Sequence, residues 1–301
     1  MPRPYLTLGL VLCQLGCIDA ILTNGEIAST RVAAASFDTL GDYELAKVST
    51  QAGLAQFEGM HRIAPNNTDA LFMLVQGWAG YGWGFVEDEM EEAQLKGDDA
   101  TAAYHKTRAK SAYDRAVFYG LELLSHTDKG FDVAKKNDQT LDAWLKANFT
   151  SKDDAENLFW VAYAWMSRVN LLQDDPAMVA DLYIGVDMMK RAFELEPTYY
   201  ASSPMVAMAA YHGRTADAEV KEARALFEQA LKNTKRGALT TQLTYAQFAC
   251  TVADKKLYDD MVDEILKADD PDPNQRLNNT IAKRRASRMK SPKKTQDCGF
   301  P

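Results

Sequence analysis

The sequence predicts an all-α protein, and three observations support this fold class. A triplet of small, bulky and small residues recurs four times at helical spacing. There is no proline between Pro65 and Pro176, which favours long helices because proline removes a backbone hydrogen bond. No stretch shows the period-two alternation that is typical of strands. We therefore expect degenerate tetratricopeptide-like helix hairpins, packed as one compact helical domain that could enclose a pore.

The best copy of the triplet lies near the middle of the chain. Gly185, Met189 and Ala192 share one helix face, and Pro197 follows five residues after Ala192. Small residues let a partner helix approach closely, and the bulky residue fills the groove between them. This spacing is typical of the second helix of a tetratricopeptide unit. The other copies are Gly53, Phe57 and Met60; Ala109, Tyr113 and Ala116; and Ala223, Phe227 and Ala230.

The spacing between copies is irregular. Their first residues are Gly53, Ala109, Gly185 and Ala223, which are 56, 76 and 38 residues apart. Regular tetratricopeptides repeat about every 34 residues. The repeats are therefore degenerate and carry insertions, which favours a closed helical bundle over a plain solenoid.

The remaining pattern places a helix on most of the chain. Asn66 to Asp69 form a capping sequence for the second helix, and Asp269 to Pro273 interrupt the helical pattern before the last one. Residues 126–140 are polar and irregular, which predicts an excursion between helices. Helices are expected over residues 24–63, 70–85, 100–124, 141–148, 204–211, 240–250, 257–266 and 274–289, and further helices are expected to carry Trp160 with Trp165, the triplet at Gly185 and the triplet at Ala223.

The first residues predict a signal peptide over residues 1–16. Arg3 gives a short positive region, and a mostly apolar run of twelve residues follows, too short to span a bilayer. The run ends with Gly16 before Cys17, which resembles a bacterial lipoprotein cleavage site, although Gln14 stands where leucine is usual. We predict that Cys17 is lipidated; the alternative is an ordinary signal peptide that is cleaved further along the chain.

The mature chain is then expected to comprise one helical domain over residues 17–291 and a disordered tail over residues 292–301. Its two remaining cysteines are Cys250, in an apolar helix, and Cys298, in the polar tail. They could form a disulfide, or Cys250 could simply be a small core residue. The sequence leaves these two alternatives open.

Charge excludes nucleic acid as the main partner. The net charge of the whole chain is −8. Residues 276–294 are basic and contain no acidic residue, so the remainder of the chain is more acidic than this total indicates. We expect the basic segment to form a solvated helix face that can pair with acidic surface; attraction to anionic lipid is the alternative. Residues 87–92 carry five carboxylates and continue a helix, which favours a solvated face over a cation site.

No motif for catalysis, a metal or a cofactor is present. The four histidines form no HxxxH or HExxH pair, and with the cysteines they give no zinc spacing. There is no glycine-rich phosphate loop. The sequence therefore predicts a protein that is not an enzyme and needs no cofactor.

The most unusual local composition is the segment GWAGYGWGF, residues 77–85. Each of its four glycines disfavours a helix by about 1 kcal/mol relative to alanine, so close packing, a hinge or a nearby ligand must compensate. The aromatic residues between them either line an apolar channel or belong to the core. The candidate lining residues here are Trp78, Tyr81, Trp83 and Phe85.

A second set of candidates lies on the central helix. Trp160 and Trp165 are candidate lining residues, and Arg168 stands beside Trp165 in an otherwise apolar helix. Because arginine binds carboxylates through two parallel hydrogen bonds, Arg168 is the best candidate for holding a carboxylate ligand. The alternative is an ion pair within the protein.

Several blocks of the sequence resemble the T-component family of TRAP transporters, a family of tetratricopeptide lipoproteins. They occur in the family's order and together extend over nearly the whole mature chain. The blocks are RAKSAYDRAVFYGLELL from Arg108, NLFWVAYAWMSRVN from Asn157, MMKRAFELEPTYY from Met188, ARALFEQAL from Ala223, YAQFACTVADKKLYDDMVDEIL from Tyr245 and RLNNTIAKRRASRM from Arg276.

The resemblance implies a periplasm-facing lipoprotein with cryptic tetratricopeptide units around a pore or cleft, assembled as a homotrimer. It implies that the partner is a periplasmic solute-binding protein that delivers substrate to a permease, and that the ligand is hydrophobic or an organic acid. The alternative function is a scaffold for periplasmic or outer-membrane protein assembly, with a peptide in an open groove. A closed aromatic pore favours transport, whereas a groove lined by Asn, Lys and Arg favours peptide capture.

Overall fold

A computed structural model of the chain describes residues 21–214 and 217–300, and every regular element in these ranges is helical. The prediction of an all-α fold is confirmed. None of the described helices combines the length and the apolar character that crossing a membrane requires. The predicted signal peptide, residues 1–16, and the predicted lipidation site, Cys17, lie outside the described residues.

Sixteen helices can be labelled along the described ranges, with α1 covering residues 21–34. Two 3-10 turns, Ala35–Thr39 and Pro273–Gln275, and one π-helical turn, Gly82–Val86, lie between them. The other helices are α2 Tyr43–Ile63, α3 Thr68–Tyr81, α4 Glu87–Lys96, α5 Asp99–Ser125, α6 Phe131–Ala134, α7 Asp138–Asn148, α8 Asp154–Leu171, α9 Pro176–Ala180, α10 Leu182–Leu195, α11 Tyr199–His212, α12 Asp217–Asn233, α13 Leu239–Thr251, α14 Lys255–Lys267, α15 Arg276–Met289 and α16 Pro292–Asp297.

The helices pack in pairs, and the predicted triplets lie in the contacts. The most extensive contacts join α8 with α10, α3 with α5, α11 with α12, α5 with α8, and α13 with α14. In the pair α8–α10, a Cβ atom on Gly185 would lie 2.7 Å from Cγ of Met166, so the glycine allows close approach. The bulky triplet residues Tyr113, Met189 and Phe227 are buried. The packing role predicted for the triplet is therefore confirmed.

Helix α15 joins the two halves of the molecule. Its Leu277 and Ile281 pack in a hydrophobic cluster with residues of α2, α3 and α5. Its Ala282 and Ala286 pack in a second cluster with residues of α12, α13 and α14. Since one helix contributes to both cores, it fixes the C-terminal helices against the N-terminal ones.

Ion pairs between α4 and α15 reinforce this junction. Asp88 is completely buried, and its carboxylate pairs with Arg284 at 2.9 Å and with Arg288 at 2.5 Å. Glu91 pairs with Arg285 at 3.1 Å and with Arg288 at 2.8 Å. Burial by itself raises the pKa of Asp88, but the two guanidinium groups lower it below its ordinary value. The prediction that residues 87–92 form a solvated face is wrong at Asp88, because the acidic and basic segments pair with each other.

Two further details differ from the sequence-based expectation. The helix expected over residues 24–63 is broken at Ala35–Thr39, and α2 begins after Asp42, whose side chain accepts a hydrogen bond from the Leu45 amide. The tail expected to be disordered contains α16. Phe300 is buried against Tyr258, and Cys298 forms a disulfide with Cys250. One cross-link and one buried ring thus hold a segment whose polar composition suggested disorder.

Candidate functional site

A cavity of about 490 Å³ lies between α1, α2, α3, α8, α11, α13 and α15. Its volume falls in the range of small-molecule sites, which are usually concave and mostly apolar. The wall of this first cavity is rich in aromatic side chains. They are Phe37, Phe57, Phe72, Tyr81, Trp83, Phe85, Phe159, Trp160, Tyr163, Tyr199 and Tyr200.

The rings of α8 and α11 hold one another in place. The Trp160 indole donates a hydrogen bond to the Tyr199 hydroxyl at 3.1 Å. The Trp160 ring meets the Tyr200 ring edge-on, with 5.1 Å between centroids, and Phe159 meets Tyr199 at 5.5 Å in the same manner. Edge-to-face contacts of this kind are favourable and fix ring orientation. This side of the cavity is therefore a preformed aromatic wall.

The start of α11 has an unusual backbone. Tyr200, Ala201 and Ser202 have φ values of 43°, 55° and 64°, which is the left-handed region that side chains other than glycine rarely adopt. Each such residue costs on the order of 1–2 kcal/mol. Hydrogen bonds from the Ser203 hydroxyl to the Tyr200 carbonyl, and from the Asn233 amide to the Ser202 hydroxyl, hold the turn. Strain of this kind often marks a functional site, and here both Tyr199 and Tyr200 line the cavity.

One corner of the first cavity is polar, and we call Asp38, Tyr200 and Asn278 its polar corner. The Tyr200 hydroxyl donates to Asp38 Oδ1 at 3.2 Å and accepts from the Asn278 amide at 3.0 Å. Burial raises the pKa of Asp38 to about 6, although the Tyr200 hydrogen bond acts in the opposite direction. Burial, together with the nearby Asp38 charge, raises the pKa of Tyr200 well above its ordinary value. Tyr200 is therefore a neutral donor.

The basic residue of the first cavity is already neutralised. Arg31 pairs with Asp69 at 2.5 Å and also with Glu156, and its guanidinium group lies 3.9 Å above the Phe72 ring centre. Of the residues that line this cavity, the charged ones are Arg31, Asp38 and Glu156. The wall thus carries two carboxylates and one guanidinium group that is already paired.

A second cavity, of about 520 Å³, adjoins the first. Trp83, Tyr163 and Ala207 line both, so these three residues form a shared wall. The second cavity is more polar and is lined by Glu87 and Arg285 among others. The Arg285 guanidinium group lies 4.6 Å from the Trp83 ring centre and donates to the Trp83 carbonyl at 2.6 Å. Trp83 therefore stands between an apolar and a charged compartment.

The charged group next to Trp83 contains a carboxyl with an unusual pKa. Burial raises the pKa of Glu87 to about 7, while the positive charge of Arg285 acts in the opposite direction. The Tyr113 hydroxyl donates a hydrogen bond to Glu87. Glu87 is thus held largely away from water and exchanges its proton near neutral pH.

Three of the four glycines in residues 77–85 allow close packing, and two of the four, Gly77 and Gly80, line the first cavity. A Cβ atom would lie 2.9 Å from Leu54 at Gly77, from Tyr113 at Gly82 and from Ile281 at Gly84. At Gly80 a Cβ atom would meet nothing within 4 Å, and this residue lines the first cavity. Gly82 and Gly84 belong to the π-helical turn that also carries Trp83, and such turns are frequent at functional sites.

Four of the predicted lining residues lie in the wall of the first cavity: Tyr81, Trp83, Phe85 and Trp160. Phe85 and Trp160 are almost completely buried, and the Tyr81 hydroxyl accepts a hydrogen bond from the Arg108 guanidinium group at 2.5 Å. Their contact with a ligand stays a prediction, but the geometry that it requires is present.

The structure places the other three candidates elsewhere: none is among the described residues lining either cavity. The Trp78 indole donates to Glu58 at 2.9 Å. The Trp165 indole donates to the Asp181 carbonyl at 2.9 Å. Arg168 lies 4.6 Å from the Trp165 ring centre and pairs with Asp114 at 3.5 Å. Arg168 thus takes part in the ion pair that was its alternative role, and the carboxylate-binding role loses its main support.

Sequence reasoning missed the polar corner and the tyrosines of α11. Tyr199 and Tyr200 follow Pro197 as adjacent aromatic residues, a signal that could have been noticed. Asp38 gave no signal, because Tyr200, its hydrogen-bond partner, is 162 residues away in sequence. In the described part of the chain, no group of three or more His, Cys, Asp or Glu side chains could hold a metal ion.

The sequence was compared with known protein families and with individual known proteins. Residues 40–296, most of the chain, match the family described as TRAP transporter T-component. The chain is also similar to an uncharacterized protein of Treponema pallidum (strain Nichols). The two are 23% identical over 286 residues, which cover 92% of this chain and 85% of that protein. The chain belongs to the TRAP transporter T-component family.

Proposed function

We propose that the protein binds an apolar small molecule in its first cavity as a non-enzymatic accessory of a TRAP-type uptake system. Its family gives it an accessory role in such a system. The observation that carries the proposal is a cavity of about 490 Å³ with a wall of aromatic residues. Such a concave aromatic wall is suited to an apolar small molecule, whereas an extended peptide binds in an open groove or along a sheet edge.

The ligand passes from the first cavity to the second across the shared wall. Trp83, Tyr163 and Ala207 line both cavities, so displacement of one ring would connect them. Trp83 is half-buried and follows Gly82 in the π-helical turn, a position where the regular helical hydrogen bonding is interrupted. We assign the gating role to Trp83.

Exchange of a neutral fluorescent dye, Nile red, tests this route. Trp83→Ala removes the ring from the shared wall, and we expect dye release to be several-fold faster than in the wild-type protein. Trp78→Ala is the matched control, because Trp78 is on the same segment but hydrogen-bonds to Glu58 outside both cavities. Equal release rates in the wild-type protein and in Trp83→Ala would reject the route, while retained dye binding would keep the cavity proposal.

The remaining parts of the proposal concern assembly. The protein faces the periplasm, is anchored by a lipid on Cys17, assembles as a homotrimer and docks a periplasmic solute-binding protein that exchanges ligand with it. Support comes from family membership and from the signal-like first residues.

Affinity purification tests the docking step. The full-length chain with a C-terminal tag is purified from membrane extracts of its own organism, beside an unrelated lipoprotein with the same tag. We expect a TRAP solute-binding protein to co-purify with the first protein and to be absent from the second. Recovery of outer-membrane assembly proteins in its place would support the alternative scaffold function.

A further inference from the structure

The polar corner of the first cavity contains a carboxylate without a counter-ion. Asp38 Oδ1 accepts the Tyr200 hydroxyl hydrogen, while Oδ2 has no hydrogen-bond partner among the described residues. Within the same ranges, no basic side chain lies at ion-pair distance from Asp38, which is only partly exposed. A carboxylate in such surroundings is stabilised strongly by a cation that reaches it.

Among the described residues, the rest of the cavity wall offers hydroxyl and amide donors, but no unpaired basic side chain, to a negatively charged ligand. Arg31 is neutralised by Asp69 and Glu156. The cavity wall contains two carboxylates, Asp38 and Glu156, and one guanidinium group, that of Arg31. The charged residues that line the cavity therefore carry a net negative charge. A carboxylate ligand would lose its hydration in this cavity without gaining an unpaired cation.

The polar corner is also rigid and next to aromatic rings. Tyr200 is held by Asn278 and by the left-handed turn, so its hydroxyl keeps Asp38 oriented. The Trp160 and Phe159 rings lie 5.1 and 6.2 Å from the Tyr200 ring, measured between centroids. Aromatic faces attract ammonium groups in sites of this kind. Burial holds the pKa of Asp38 at about 6, so the carboxyl is still mostly ionised near pH 7.5.

We propose that the first cavity selects an apolar molecule with a protonated amine head, held by Asp38, and rejects one with a carboxylate head. This inference rests on the proposed ligand-binding function and makes it more specific. It replaces the organic-acid ligand that the family resemblance implied with a ligand of opposite charge.

Three probes with the same alkyl chain and different heads test the inference. Decylammonium, decanol and decanoate are titrated into the wild-type protein near neutral pH, below their micelle concentrations, by isothermal titration calorimetry. We expect decylammonium to bind at least about tenfold more tightly than decanoate, since hydrogen bonds between charged groups are stronger than neutral ones. Decanol should bind with intermediate affinity.

Asp38→Asn identifies the group responsible. Asparagine keeps an oxygen that accepts from Tyr200, so the variant should fold, as thermal unfolding followed by circular dichroism will verify. We expect its preference for decylammonium over decanoate to fall about tenfold, with unchanged affinity for decanol. Asp142→Asn is the control for net charge, because Asp142 pairs with Lys146 on α7 and does not line the cavity.

The outcomes separate this inference from the proposed function. Equal binding of decylammonium and decanoate, or an unchanged preference in Asp38→Asn, would overturn the inference. If decanol still binds in that case, the proposed function is still supported. If none of the three probes binds, both the proposed function and the inference are rejected.

Discussion

Asp88 is the residue on which the junction between α4 and α15 depends most. It is completely buried, and its carboxylate is shared by Arg284 and Arg288. A buried carboxylate is tolerated only when it is paired, and loss of its charge leaves Arg284 and Arg288 with only Glu92 and Glu91 as ion-pair partners. The acidic and basic segments of the chain therefore act as one structural device.

Asp88→Asn should lower the free energy of unfolding by about 3 kcal/mol, because it breaks a buried ion pair from one side. Urea denaturation followed by circular dichroism measures this change. Asp263→Asn is the control, since Asp263 pairs with Lys290 and Lys267 at the surface and its loss should hardly move the midpoint. Similar losses in both variants would show that burial of Asp88 has no special role.

At the residue scale, the sequence revealed part of the candidate site. Tyr81, Trp83 and Phe85 were recognisable because aromatic residues alternate with glycines over a short segment. Asp38 and Tyr200 were not, because their contact depends on how α11 packs against the turn after α1. Charged and aromatic residues can be read directly from a sequence, whereas contacts between residues that are far apart in the chain cannot.

The π-helical turn Gly82–Val86 is the element that shapes the site. It places Trp83 in the shared wall, while its glycines bring the backbone against neighbouring side chains. At Gly82 a Cβ atom would lie 2.9 and 3.0 Å from two ring atoms of Tyr113, which is fully buried. Tyr113 has little freedom to move, since its hydroxyl donates to Glu87.

Gly82→Ala should therefore destabilise the protein by about 1–3 kcal/mol through overpacking against Tyr113. Gly80→Ala is the matched control, because its Cβ atom meets nothing within 4 Å. There alanine should stabilise the helix by up to about 1 kcal/mol. Urea denaturation of both variants measures the difference, and a stabilised Gly82→Ala would contradict the packing role of this glycine.

The C-terminal element depends on a cross-link. The Cys250–Cys298 disulfide joins α13 to the residue that follows α16, 48 positions along the chain. Because a cross-link restricts the unfolded chain, Cys298→Ser should lower the free energy of unfolding by about 2–4 kcal/mol. Urea denaturation of the oxidised wild-type protein, the reduced wild-type protein and the variant gives the comparison. Equal midpoints for all three would mean that the bond contributes nothing.

At the element scale, helix existence was easier to predict than helix continuity. The cap at Asn67 was recognisable because Asn66 to Asp69 form a capping sequence, and the Asn67 side chain does accept a hydrogen bond from the Ala70 amide. The break at Ala35–Thr39 and the left-handed turn at Tyr200 were missed. No proline or glycine lies within either segment itself, although Gly41 follows the first and Pro197 and Pro204 flank the second.

For the molecule as a whole, three carboxyl groups link stability to pH. Burial raises the pKa of Asp38 to about 6 and that of Glu87 to about 7. Burial, and then the neighbouring Asp138, raises the pKa of Asp187 to about 7. Each group binds its proton more tightly in the folded protein than in the unfolded chain. The free energy of unfolding must therefore rise as pH falls through this range.

We expect the free energy of unfolding to increase by on the order of 1–3 kcal/mol between about pH 8 and about pH 5. Below about pH 4 it should decrease, because Asp88 has a lowered pKa and loses its contribution when it is protonated. Urea denaturation across this range measures the profile. Glu87→Gln should reduce the change between about pH 5 and pH 8, leaving the part that Asp38 and Asp187 contribute, whereas a profile that rises steadily toward pH 8 would contradict the assignment.

The helix pairs could be predicted from the triplet, since it is a local pattern on one helix face. The position of α15 between two hydrophobic clusters could not, because its basic residues suggested a solvated face. The sequence determines which helix faces are apolar. The shape of the cavity depends on how those faces pack against one another, which a local sequence pattern does not specify.

The most direct test of the account is whether the first cavity binds an apolar molecule. Gly80→Leu adds a side chain at a lining position that has open space, and Gly59→Leu adds the same side chain at an exposed position of α2. Titration calorimetry with decanol should give equal binding to the wild-type protein and Gly59→Leu, and at least about tenfold weaker binding to Gly80→Leu. Equal binding by all three, or no binding by the wild-type protein, would contradict the account.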